Sequence, residues 1–174
     1  MKNRSMWLVV VLLALAVTVG IAAPRVHRWL TAPPAGVCPI CLRHEHKESM
    51  VRFQAQGEAP SDACCLSCAL TYGRQTHKPV TILKVTDHGS GAPIDPKEAV
   101  FVVGSNVSPC THSTVERGPE KESYNVQWDR CLPSILAFSS AEAADAFRTQ
   151  HGGHLRTLDE LLRRSGAGED LGGS

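Results

Sequence analysis

Seven cysteines, and the way they are spaced, constrain this chain more than any other feature. Four form two Cys-x-x-Cys pairs, Cys38/Cys41 and Cys65/Cys68, and Cys64 adjoins the second pair. Such a pair on a turn or helix start sets two thiolates about 3.5–4 Å apart, which suits low-coordinate or tetrahedral binding of a soft metal. His44 and His46 follow the first pair, and residues i and i+2 of an extended segment point the same way, so both are candidate nitrogen ligands. Cys65 and Cys68 near a helix start would have lowered thiol pKa values, favouring thiolate and metal capture. An odd number leaves at least one thiol free, paired between chains or on a metal. Cys110 and Cys131 stand apart, with twenty residues between them. They suit a disulfide, worth about 3 kcal/mol in the chain-entropy model, or a second metal-binding pair.

The start of the chain predicts a location. Lys2 and Arg4 precede an uncharged apolar run over 6–23. Eighteen residues at helical rise span about 27 Å, enough to cross a hydrocarbon core. The expectation is an N-terminal membrane-anchor helix in the inner membrane, with a cleaved signal as the alternative. Residues 1–5 would then be cytoplasmic, and the rest would face the periplasm or another extracytoplasmic space.

Beyond a Pro-rich linker at 24–36, the pattern predicts an α+β fold of two small strand/helix units, 37–107 and 108–164, with a flexible tail at 165–174. Val51, Phe53 and Ala55 alternate with polar residues, as in a half-buried strand. Ser61 and Asp62 offer caps for a helix through Cys68 and Tyr72, ending near Gly73. Residues 80–85 and 99–103 read as strands flanking the hairpin chemistry of 87–96. Residues 134–138 form a further strand. Ser139 and Glu142 then supply a capping box for a helix to about Gln150, and Thr157 and Glu160 open a terminal one. Aromatic residues are 5 % of the chain, so each core would be thin and metal or disulfide cross-links would matter. A net charge of +1 without a basic stripe argues against nucleic acid as a partner.

Residues 94–107, reading Ile94-Asp95-Pro96-Lys97-Glu98-Ala99 into Val100-Phe101-Val102-Val103-Gly104-Ser105-Asn106-Val107, resemble the central motif of the NosL family. So does 133–153, with Ala137-Phe138, Ala141 to Phe147 and His151-Gly152-Gly153. The resemblance covers roughly 38–162 and implies a copper-binding accessory protein of nitrous oxide reductase, built from two small related α+β units. Cys41 matches the cysteine of the family's Cys-Gly-Met motif, but Arg43 stands where the methionine would be. The family's Gly-Pro-Met-Gly segment has no counterpart. An expanded region at 108–133 replaces it, holding Cys110, His112 and Cys131. The family's lipid-bearing cysteine is also missing. A thiolate-rich, thioether-poor donor set favours Cu(I) and also fits Zn(II).

The reading is therefore a soft-metal-binding protein, a copper chaperone or metal-delivery accessory protein and not an enzyme. Its metal would sit on Cys38, Cys41, Cys65 and Cys68, with Cys64, His44 and His46 as further ligands. Its partner would be a metal-receiving protein or membrane transporter. Two other classes compete. In a structural zinc module the two Cys pairs, 23 residues apart, would form a closed tetrahedral site. A thiol-disulfide oxidoreductase would use Cys38-Pro39-Ile40-Cys41, but no βαβ pattern precedes that motif. Hydrolase motifs of the Gly-x-Ser-x-Gly and His-Glu-x-x-His kinds do not occur.

Overall fold

The computed structural model describes residues 7, 10, 11, 13, 15, 17–23, 26, 36–110 and 131–172. The chain divides into two compact units, Met1–Pro34 and Ala35–Ser174. In the first, the described run 17–23 is helical. Among the described residues no helix is long and apolar enough to cross a membrane. This overturns the expected anchor helix over 6–23, and with it the membrane-anchored location that rested on it.

The second unit is α+β, with two small antiparallel sheets. One has the order β2-β1-β3-β4, from Ser61–Ala63, Val51–Ala55, Val80–Thr86 and Pro93–Ile94. The other has the order β6-β5-β7, from Ile135–Phe138, Val100–Val103 and His154–Arg156. Among the described residues of this unit three helices complete it: α1 (Leu66–Thr76), α2 (Ala141–His151) and α3 (Leu158–Ala167).

In β1 the expected alternation holds, with Val51, Phe53 and Ala55 buried and Arg52 exposed. The hairpin expected from the turn chemistry of 87–96 forms, but it is tighter, because β3 pairs with β4 inside that stretch rather than with 99–103. The run at 100–103 instead becomes the centre of the second sheet, paired with β6 on one side and β7 on the other. A strand apolar at every position must be covered on both faces. Accordingly Phe101 and Val103 enter the main core, while Val102 packs with Leu136, Phe138 and Ala144.

Helix starts differ from expectation where a strand or a carboxylate claims the capping residue. Ser61 and Asp62 pair with Phe53 and Arg52, so they belong to β2 and α1 begins later, with Cys65 as N-cap. Gly73 does not end this helix. It sits inside α1 because a Cβ there would lie 2.9 Å from a Val80 methyl, and the stop comes at His77 in a left-handed conformation. Ser140, not Ser139, caps α2 by accepting from the Ala143 N–H. The Ser139 N–H donates instead to buried Asp87 at 2.6 Å. The Thr157/Glu160 capping box of α3 forms as read. That helix runs through Ala167 and Leu171 packs in the core, so part of the stretch expected to be a flexible tail is folded.

Candidate metal centre

Three segments bring cysteines to one place. The first is a tight knuckle at 37–44. The Leu42 N–H donates to the Cys38 carbonyl at 2.9 Å and the Cys38 N–H donates to the Arg43 carbonyl at 2.8 Å. Closing so short a turn puts Leu42 at φ 62, a left-handed position that L side chains rarely adopt. The second is the junction of β2 and α1, which carries Cys64, Cys65 and Cys68. Ser49, itself buried, fixes this junction by donating to the Cys64 carbonyl at 2.8 Å. The third is the entry to β6, which carries Cys131. The Ser67 hydroxyl of α1 donates to the Pro133 carbonyl and ties that entry to the helix.

The sulfur atoms gather into two overlapping groups. Cys38, Cys41, Cys64 and Cys68 form one, and Cys64, Cys65, Cys68 and Cys131 form the other, with all ligand atoms of a group within 4.8 Å of one another. Sulfur–sulfur distances are 3.4 Å for Cys41–Cys64, 3.6 Å for Cys64–Cys68, 3.7 Å for Cys68–Cys131 and 3.8 Å for both Cys64–Cys65 and Cys64–Cys131. Every cysteine is a free thiol. Cys110 lies alongside, its sulfur 3.5 Å from the Cys64 carbonyl and 3.8 Å from the Ser49 hydroxyl. All are buried except Cys41, which is partly exposed.

Charge in the cluster follows from hydrogen bonding among thiols. Hydrogen bonds with Cys64 and Cys68 hold Cys38 far below the usual thiol range, and those with Cys110 and Cys64 hold Cys131 likewise. Cys65 is brought down to about 5, chiefly by its hydrogen bond with Cys110. Cys64, bonded to Cys110 and Cys131, is pushed up, as are Cys68 and Cys110 through Cys131. Burial lifts Cys41 to about 11. A metal entering the cluster must displace the protons that its thiols carry. Helix α1 adds a favourable field: its N-terminus begins at Cys65, its first turn holds no acid, and Cys68 lies within that turn.

Of the residues singled out from sequence, the five cysteines of 38–68 meet here, but the expected single set of Cys38, Cys41, Cys65 and Cys68 is not one group: Cys64 joins Cys38, Cys41 and Cys68, while Cys65 falls in the second group. Cys131, read with Cys110 as a separate pair, belongs to the second group. Among the described residues neither four-sulfur group includes a histidine. His44 is exposed and pairs with Val37 in an isolated bridge, and His46 lies 3.9 Å from Glu48. His112 lies outside the described residues. Cys64 was legible only as an auxiliary ligand, because it precedes the N-cap of α1 and no helical period relates it to Cys68. Ser49 carried no sequence signal. A surface groove of about 660 Å³ lies around the C-terminal end of α1 and includes Arg74, His77 and Lys78 but no cysteine.

The chain is similar to the crystal structure of the copper chaperone NosL from Shewanella denitrificans. Identity is 19 %, the match covers 75 % of this chain and 92 % of that one, and the TM-score is 0.49. No family model and no curated protein matches the chain. At this degree of similarity, function has to be argued from the sulfur geometry.

Proposed function

We propose that this chain is a metal-binding accessory protein that holds copper as Cu(I) in its cysteine cluster and delivers it to a receiving protein or transporter. The observation that carries the reading is the convergence of six cysteine sulfurs, from three segments, into two sets of ligand spacing. An all-sulfur donor set selects soft ions, Cu(I) and Zn(II) ahead of oxygen-seeking cations. Its chemistry is binding and release, with no catalytic step of its own.

Two features favour a carrier over a structural zinc site. The core includes Leu66, Leu70, Phe101, Leu136 and Leu161, all almost fully buried, so much of the packing is independent of a metal. Cys41 gives the otherwise enclosed cluster a partly exposed thiol at which a ligand-exchange reaction can begin.

The test uses the reduced full chain under anaerobic conditions. Cu(I) should bind in competition with a chromophoric chelator and should transfer to a stronger one. After chelation the far-ultraviolet circular dichroism should persist, with only a lowered melting temperature. Stoichiometric zinc in the purified protein, together with loss of the fold on chelation, would overturn the carrier reading in favour of a zinc-stabilised module.

A further inference from the structure

We propose that the cluster is a dinuclear centre, in which Cys64 and Cys68 bridge two soft metal ions. One ion would be completed by Cys38 and Cys41, the other by Cys65 and Cys131. The proposal deepens the metal-binding reading and rests on it.

The geometry is that of two tetrahedra sharing an edge. Metal–thiolate bonds of about 2.3 Å at tetrahedral angles need sulfurs about 3.8 Å apart. The five measured contacts run from 3.4 to 3.8 Å. The two four-sulfur groups have only Cys64 and Cys68 in common, and these are 3.6 Å apart. Cys64 touches Cys41, Cys65, Cys68 and Cys131, so it contacts ligands of both proposed ions.

A single ion would use only part of this sulfur set. Placed in the first group, it would leave Cys65 and Cys131, both buried, beside bound sulfur without a metal. Placed in the second, it would leave Cys38 in the same position. Either single-ion arrangement leaves sulfurs at ligand spacing unused. Two ions sharing two sulfurs give every buried member of both groups a metal, and bridging divides the charge of Cys64 and Cys68 between them. Proton balance follows: each thiol that becomes a ligand releases its proton to solvent, and no redox step is involved.

The experiment titrates the reduced full chain with Cu(I) anaerobically, reading stoichiometry by native mass spectrometry. Two ions per chain are expected, with the doubly loaded form accumulating as the first sites fill. X-ray absorption of that form should show metal–metal scattering at about 2.9 Å, the separation set by bonds of about 2.3 Å across a shared sulfur edge. The double variant Cys65→Ser/Cys131→Ser should retain one ion, and so should Cys38→Ser/Cys41→Ser from the opposite side. One ion per parent chain without metal–metal scattering overturns the dinuclear proposal and leaves the metal-binding reading intact. No bound ion overturns both. Stoichiometry and scattering are read on the parent protein, so neither depends on a variant folding.

Discussion

Replacing Asp87 with asparagine tests how the two sheets are joined. Asp87 is 4 % exposed and lies where the β3–β4 turn meets β6. Its carboxylate accepts from the Ser139 N–H at 2.6 Å, the Ser90 N–H at 2.7 Å and the Ser90 hydroxyl at 3.0 Å. Burial alone would raise its pKa, but these donors outweigh burial and hold it at about 2, against an ordinary 3.8. At 1.36 kcal/mol per pKa unit, that difference is worth about 2.5 kcal/mol of folding stability. The folded-state pKa is depressed, so this stability is present above pH 4 and is lost as pH falls from about 4 to about 2. Asparagine keeps one acceptor but turns an N–H group toward one of the donors, and it cannot carry the charge. Asp87→Asn should therefore cost about 2–3 kcal/mol at pH 7, lowering the melting temperature by about 5–10 °C. The penalty should shrink toward pH 2. Urea melts at a series of pH values, with metal-free protein, measure both effects. A loss below about 0.5 kcal/mol at pH 7, or a penalty unchanged down to pH 2, would refute the account of this carboxylate.

Two further outcomes follow from the same structure. In the metal-free reduced protein, Cys41 should be the thiol alkylated first, because it is the partly exposed one. Burial lifts its pKa to about 11, so its rate should climb about tenfold per pH unit below that value; mass-spectrometric mapping in which a buried cysteine reacts equally fast would contradict this. Gly153→Ala should destabilise by about 2–4 kcal/mol, since Gly153 has φ +97 and an added Cβ would lie 2.7 Å from the Val103 carbonyl oxygen. A denaturant midpoint equal to the parent's would show that β5 and β7 can part without penalty.

The parts of the fold legible in sequence were those written in local periodicity. Val51, Phe53 and Ala55 announced β1, and the Thr157/Glu160 pair announced α3, because each signal is complete within a few residues. Strands β2, β4 and β7 are two or three residues long and too short to carry a period. They form because a neighbouring strand offers hydrogen bonds, which is also why Ser61 and Asp62 pair with β1 rather than cap α1. Ser139 lost its expected capping role to Asp87, 52 residues away. The apolar run at 6–23 shows the opposite error, where composition suggested a membrane helix that the described residues do not form.

For the candidate site, the sequence by itself determined the chemistry. Cys-x-x-Cys spacing makes a pair of nearby sulfurs a local property of a turn or a helix start, so Cys38/Cys41 and Cys65/Cys68 could be read directly. Only the tertiary structure decided how the two pairs divide between groups, that Cys64 stands at the centre of the pocket and that Cys131 enters it from 63 residues beyond Cys68. The physical reason is that a ligand set is completed by packing. The 37–44 knuckle, the N-terminus of α1 and the entry to β6 meet because their apolar neighbours share one core, and no pattern within a single segment encodes that meeting.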